Sequence, residues 1–89
     1  MTSRFEVHWS HEARKFYDRM GPDYHERFKR MVKVLEESPY YYGKAIKRLI
    51  GDLGGLYRYR VGNLRVFYTI SSFKREVYIT SIDTRGDAY

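Results

Sequence analysis

The sequence contains no cysteine among its 89 residues, which excludes both a disulfide framework and a thiolate metal site. It also lacks any run that approaches the roughly 18 consecutive apolar residues of a membrane-spanning helix. The N-terminus, Met1 to Arg4, does not have the apolar stretch of a signal peptide. We therefore expect a soluble protein that works in the reducing cytoplasm.

Acidic residues are fewer than basic ones: the sequence has 11 Asp and Glu and 17 Lys and Arg, which gives a net charge of +6. Such a surplus attracts nucleic acids, acidic proteins and anionic lipids alike, so the positions of the charges must identify the partner. With 43% hydrophobic and 18% aromatic residues, the chain can bury one core but is too short for two. We expect a single domain over residues 1–89 and not a multidomain enzyme.

The N-terminal half predicts one strand and two helices. Apolar and polar residues alternate over residues 4–9, which is the pattern of a strand with one buried face. Ser10 is a good helix cap, and a helix is predicted over His11–Met20, with Gly21 ending it in the left-handed conformation. The second helix, Pro22–Glu37, begins with a proline in the first turn and carries its apolar residues on one stripe.

The C-terminal half predicts strands. Residues 40–55 show no clear period, so we expect a loop there. Strands Leu56–Val61 and Leu64–Ile70 flank Gly62-Asn63, a two-residue turn typical of tight hairpins, and β-branched residues predict a last strand over Val77–Asp83. The order β-α-α-β-β-β indicates an α+β fold, with two helices packed on one face of a small, mainly antiparallel sheet.

Arginines recur on one face of the predicted hairpin. Side chains alternate along a strand, so Arg58 and Arg60 share a face. A two-residue loop at Gly62-Asn63 places Arg60 opposite Arg65 and Arg58 opposite Phe67. Guanidinium groups match phosphate oxygens well, and an aromatic ring offers a surface on which a base can stack. This face therefore predicts RNA binding.

Two points are left open by the residues alone. The arginines could instead be paired within the fold, by Glu6, Asp52 or Glu76. Lys47 and Arg48, upstream of the hairpin, either extend the basic patch or are solvated charges of a loop.

Three segments together resemble the RelE/ParE toxin superfamily. The run Gly55–Tyr68 is similar to its signature hairpin, Lys47–Gly51 to the approach to that hairpin, and Asp83–Tyr89 to its C-terminal ending. The resemblance extends over essentially the whole chain. The Arg-Tyr ending is most similar to RelE-type toxins, whereas ParE-type members share the fold and the hairpin.

The RelE resemblance implies a toxin of a type II toxin-antitoxin system that cleaves mRNA in the ribosomal A site and so inhibits translation. The ribose 2′-OH would attack the adjacent phosphate without a metal or another cofactor. Partners implied by the family are the ribosome, mRNA and a RelB-like antitoxin, in a hetero-oligomer. By position in the family motifs, the site residues are Arg58, Arg60, Arg65, Arg85 and Tyr89.

One departure from the family keeps other functions open. Bacterial members often have lysine where Arg58 and Arg60 stand, and arginine gives up its proton too reluctantly to be an ordinary base. Arg60 would then stabilise an already ionising 2′-OH, or Tyr89 would carry more of the proton transfer. The departure also leaves open a relative that binds antitoxin or RNA without cutting, and a ParE-like inhibitor of DNA gyrase is the other alternative.

The histidines do not predict a metal site. His8 and His11 stand at a predicted strand-to-helix junction with no third ligand nearby in the sequence, and His25 is in the second helix. We therefore expect neither a metal nor a cofactor.

Overall fold

The computed structural model describes residues 4–49 and 55–84. These form two helices and one five-stranded sheet, with the strands in the order β1-β5-β4-β3-β2. The elements are β1 (Glu6–Trp9), α1 (His11–Asp18), α2 (Pro22–Glu37), β2 (Ile46–Arg48), β3 (Leu56–Val61), β4 (Leu64–Ser71) and β5 (Glu76–Asp83).

The sheet is mainly antiparallel, and the predicted α+β class is confirmed. Only one of its strand pairs is parallel: β1 lies at the edge beside β5, with Val7 aligned to Val77. The two helices connect β1 to the rest of the sheet and cover one face. In the part of the chain that the structure describes, neither helix is long and apolar enough to cross a membrane.

The junction between the helices differs from the prediction. The Ser10 side chain caps α1 by accepting from the Ala13 backbone N–H at 3.0 Å, but the helix ends at Asp18 and not at Met20. Gly21 is extended, with φ −80° and ψ 175°, and it caps α2 instead of ending α1. The physical reason is Pro22, because a residue before proline is pushed out of the helical region.

The predicted loop over residues 40–55 contains a strand, β2, so the predicted order lacked one strand. Its backbone is held by β3 at both ends: the Arg60 N–H donates to the Ala45 carbonyl, and the Leu49 N–H donates to the Leu56 carbonyl, both at 2.9 Å. Ile46 is buried and faces Tyr59 in the register. A strand of three residues is too short to show a period of two, which is why the sequence pattern missed it.

The core lies between the helices and the covered face of the sheet. From the helices it takes Phe28, Met31 and Leu35, all fully buried. The sheet contributes alternate residues of β3, β4 and β5, namely Tyr57, Tyr59, Val61, Leu64, Val66, Tyr68, Val77 and Ile79. On the other face of the sheet, which we call the open face, no helix of the described residues packs. This face carries the side chains that alternate with the core residues along each strand.

Candidate nucleic-acid interface

The central hairpin has the predicted register. Arg60 lies opposite Arg65, and Arg58 lies opposite Phe67. The turn begins with Gly62 at φ 60°, and of the two turn residues only this glycine has positive φ, which is the pattern of a type II′ turn. The short turn thus fixes which side chains meet across the hairpin.

Three arginines form the basic patch of the open face, and we call Arg58, Arg60 and Arg65 the arginine cluster. Arg58 and Arg65 are half-buried, and Arg60 is exposed. Burial lowers the pKa of Arg58, and the positive charges of Arg60 and Arg65 lower the pKa further. The positive charge of Arg58 is therefore disfavoured by its surroundings, and a bound anion would relieve that cost.

One atom of the cluster is left without a partner. The Arg58 Nη1 is buried and makes no hydrogen bond to the described residues. A buried donor without an acceptor costs free energy of about 1–3 kcal/mol, and more when it is charged. An oxygen of a phosphate placed over the cluster would provide the missing acceptor, in the forked geometry that guanidinium groups favour.

The carboxylates suggested as internal partners lie elsewhere. Glu6 and Glu76 both approach His8, at 3.4 and 3.6 Å from its Nε2, and Asp52 is outside the described residues. The carboxylate that the register does bring to this end of the open face is Asp83, which lies across from Arg65 on β5. Asp83 is not among the residues predicted from the sequence, because the pairing of β4 with β5 was not predicted residue by residue.

The two basic residues of β2 separate to opposite sides of the strand. Lys47 is aligned with Arg58 and therefore extends the arginine cluster on the open face, where it is exposed. Arg48 is aligned with Tyr57, on the side of the sheet that carries the core. Of the predicted RNA-binding residues, the structure brings together Lys47, Arg58 and Phe67 but places Arg48 on the other side.

The C-terminal site residues, Arg85 and Tyr89, lie outside the described residues. The last described residue is Thr84, which directly follows the end of β5 at Asp83. Their roles stay predictions.

Solved structures with the same arrangement of helices and strands are RelE-type and YoeB toxins. A chain of the archaeal RelE-RelB complex from Pyrococcus horikoshii OT3 is 25% identical, with a TM-score of 0.83, covering 94% of this chain and 98% of its own. A chain of the RelBE2 toxin-antitoxin complex of Mycobacterium tuberculosis is 23% identical, with a TM-score of 0.74, and the match covers 92% of this chain and 99% of that one. A chain of the YoeB dimer of Staphylococcus aureus is 19% identical, with a TM-score of 0.74, and the match covers 90% of this chain and 95% of that one. The fold is therefore that of the RelE/ParE superfamily.

The sequence identifies the family directly. Residues 7–89 match the model of the ParE toxin of the type II toxin-antitoxin system parDE, and the chain belongs to this family. It is thus a toxin of a type II toxin-antitoxin system with a RelE-like fold. Comparison with curated protein sequences finds no significant match.

Proposed function

We propose that this toxin is a ribosome-dependent endoribonuclease that cleaves mRNA in the ribosomal A site and thereby inhibits translation. The observation that carries the proposal is the buried Nη1 of Arg58, which has no hydrogen-bond partner among residues 4–49 and 55–84 and lies within a cluster of three arginines. Stability alone does not explain this arrangement, because like charges directly opposite in a sheet destabilise it. A phosphate group of RNA is the ligand that would compensate it.

The chemistry assigned to the site is transesterification within the RNA. The ribose 2′-oxygen forms a bond to the adjacent phosphorus, the bond from phosphorus to the 5′-oxygen breaks, and the products are a 2′,3′-cyclic phosphate and a 5′-OH. One proton leaves the 2′-OH and one is added to the departing oxygen. Arg58 and Arg65 neutralise the charge that develops on the phosphate oxygens, which is the kind of stabilisation that contributes most in such reactions.

Proton transfer is proposed for the C-terminal residues. Because a guanidinium group has no acceptor for a proton, we assign Arg60 the role of orienting the 2′-oxygen and stabilising the developing charge, and not that of the base. We assign proton transfer to Tyr89 and assistance at the leaving group to Arg85. Phe67, half-buried and directly opposite Arg58, provides the ring on which a neighbouring base stacks.

We also propose an antitoxin partner. Neighbouring structures are RelE-RelB, RelBE and YoeB-YefM complexes, and a net charge of +6 favours an acidic partner chain. A RelB-like antitoxin that covers the arginine cluster would block RNA from it. The complex would form a hetero-oligomer in the cytoplasm, where the ribosome is, with residues 1–89 acting as one toxin domain.

The deciding experiment is primer extension on a defined mRNA, with purified initiated ribosomes and without them. Wild type should give discrete cuts at the A-site codon only when ribosomes are present. Arg58→Ala and Arg65→Ala should each reduce the cleavage rate by on the order of 100-fold or more. Arg30→Ala is the matched control, because Arg30 is an exposed arginine of α2 outside the cluster, and it should cut like wild type.

The same assay tests the C-terminal assignment. Tyr89→Phe and Arg85→Ala should slow cleavage while ribosome binding, measured by sedimentation, is retained. Equal cleavage by wild type and both cluster variants would contradict the proposed site. An absence of ribosome-dependent cutting by wild type would contradict the proposed activity itself.

The second candidate function is inhibition of DNA gyrase, and the match to the ParE family model favours it. It predicts that purified toxin inhibits gyrase-dependent supercoiling and leaves ribosome-bound mRNA intact. In that case Arg85→Ala and Tyr89→Phe should leave toxicity unchanged. A chain that does neither, but still binds its antitoxin or RNA, would be a relative that has lost the activity.

A further inference from the structure

A second cluster of ionisable side chains lies at the opposite edge of the open face. It consists of Glu6 and His8 on β1 and Glu76 on β5, and we call it the Glu-His cluster. The His8 Nε2 lies 3.4 Å from a Glu6 oxygen and 3.6 Å from a Glu76 oxygen. All three potential ligand atoms lie within 4.8 Å of one another.

The backbone pairing of the two strands builds this cluster. Glu6 is aligned with Glu76, and His8 is aligned with Tyr78. Residues two apart on a strand share a face, so all four side chains lie on the open face. Because the ligands come from two hydrogen-bonded strands of the sheet, their spacing is set by the fold and does not depend on a loop.

Tyr78 orients two members of the cluster at once. Its ring stacks on the His8 imidazole, with the ring centres 5.2 Å apart and the planes 21° from parallel. Its hydroxyl donates a hydrogen bond to Glu76 Oε1, and the other oxygen, Oε2, is the one that approaches His8 Nε2. Such a hydrogen bond to the outer oxygen is how metal sites commonly hold a carboxylate ligand in place.

The distances from His8 Nε2 to the two carboxylates are those of ion pairs, and they also lie close to the separation of ligand atoms around a metal ion. An N–H···O bond is about 2.7–3.2 Å long, and both contacts of His8 Nε2 exceed that range. Around a tetrahedral zinc ion with bonds of about 2.0–2.1 Å, neighbouring ligand atoms lie roughly 3.3–3.4 Å apart. The contacts to Glu6 and Glu76 are close to that separation before any adjustment of the exposed Glu6 side chain.

We propose that Glu6, His8 and Glu76 form a binding site for a divalent transition-metal ion, with Zn²⁺ as the expected occupant. Imidazole nitrogen and carboxylate oxygen are both ligands that zinc takes in proteins, and the two carboxylate charges balance the ion. Three protein ligands leave the fourth position open to water or to a group of a bound partner. The site is separate from the arginine cluster, and no step of the proposed RNA cleavage passes through it.

The pairing of β1 with β5 explains why the sequence did not predict this site. Along the sequence, the histidine nearest to His8 is His11, which is exposed at the start of α1 and is not part of the cluster. The third ligand is Glu76, which is 68 residues beyond His8 in the chain and reaches it only through the parallel strand pair.

The test uses untagged, metal-free protein titrated with Zn²⁺ by calorimetry, and with Co²⁺ while the visible absorption of a four-coordinate cobalt centre is followed. Wild type should bind one equivalent with a saturable isotherm. His8→Ala should weaken binding by at least 100-fold, and Glu76→Gln by at least 10-fold. Tyr78→Phe, which removes only the orienting hydroxyl, should weaken it by roughly 10-fold.

The matched control is His11→Ala, which removes a nearby histidine outside the cluster and should bind metal like wild type. Circular dichroism of each metal-free variant shows whether it is folded, which separates loss of a ligand from loss of structure. The proposal is overturned if wild type shows no saturable binding up to millimolar metal. It is equally overturned if folded His8→Ala binds as tightly as wild type, since the ion would then lie elsewhere.

Discussion

The two faces of the sheet are made by the same strands but by different chemistry. On the covered face, Val66 and Tyr68 are fully buried under the helices, and the Tyr68 hydroxyl donates to the Pro39 carbonyl at 2.8 Å. On the open face, Arg60 stands opposite Arg65, and a buried nitrogen of Arg58 has no acceptor among the described residues. Apolar burial with satisfied polar groups accounts for the first face as a source of stability. On the second face, like charges that stand opposite each other do not by themselves stabilise the fold, and the proposed binding of an anion would explain them.

The largest expected effect compares two phenylalanines. Phe28 on α2 is fully buried against the covered face, whereas Phe67 is half-buried on the open face. Phe28→Ala should lower the free energy of unfolding by about 3–5 kcal/mol, because it removes core contacts and leaves a cavity. Phe67→Ala should lower it by about 1 kcal/mol, since less apolar area is lost.

Urea unfolding followed by far-ultraviolet circular dichroism measures both changes. Phe67→Ala should also slow mRNA cleavage while the protein stays folded. Phe28→Ala gives no such information, because a loss of cleavage there would follow from the loss of stability. Similar losses of stability for the two variants would show that the open face contributes to stability as much as the covered face, and the contrast between them would be wrong.

Two tyrosines give a smaller and chemically narrower comparison. Tyr68→Phe removes a buried hydroxyl and leaves the Pro39 carbonyl without its donor, which should cost about 1 kcal/mol. Tyr78→Phe removes an exposed hydroxyl on the open face and should change the free energy of unfolding by less than about 0.5 kcal/mol. The same urea titrations at neutral pH check this, and an equal loss in both variants would contradict it.

The buried tyrosine also predicts how stability changes with pH. Burial raises the pKa of Tyr68 well above its usual range, and the nearby Tyr57 and Tyr59 act in the same direction. The unfolded chain ionises this phenol near pH 10 while the folded chain does not. Its contribution is therefore fully present below about pH 10 and is lost as the pH rises toward the folded pKa.

Above about pH 10, the advantage of wild type over Tyr68→Phe should shrink by about 1.4 kcal/mol per pH unit. Urea midpoints measured from pH 8 to pH 11 give this slope, with Tyr41→Phe, which removes an exposed hydroxyl, as the control. Parallel curves for wild type and Tyr68→Phe would mean that the Tyr68 phenol ionises equally in both states.

The sequence predicted best what is local along the chain. A two-residue turn fixes the register of the hairpin, so the meeting of Arg58, Arg60 and Arg65 followed from counting residues. The 16 residues of α2 repeat its apolar stripe several times, and its bounds were predicted correctly. The short strand β2 had no such repetition and was missed.

What the sequence could not predict depends on distant parts of the chain. The pairing of β1 with β5 joins residues 70 positions apart, as in Glu6 and Glu76. No turn motif in the sequence predicts such a pairing, because the two strands are not connected by a short turn. For the same reason the proximity of Asp83 to Arg65 and of Glu76 to His8 appeared only in the structure.

The smallest expected change in the free energy of unfolding gives the most specific test, because stability and activity should change in opposite directions. Arg60→Glu places a carboxylate opposite Arg65 and replaces a like-charge pair with an opposite-charge pair. It should raise the free energy of unfolding by about 0.2–1 kcal/mol while abolishing ribosome-dependent cleavage. Arg60→Gln, which only removes the repulsion, should give a smaller gain in stability and a partial loss of cleavage.

The buffer then tests whether the arginine cluster binds an anion. Inorganic phosphate, compared with chloride at equal ionic strength, should stabilise wild type more than Arg60→Glu, because an anion that binds only the folded cluster shifts folding by mass action. A fall in stability for Arg60→Glu, with no difference between the buffers, would mean that a carboxylate of the fold already compensates these arginines. The open face would then be an internal ion-pair network, and the arginine cluster would no longer support the proposed RNA binding.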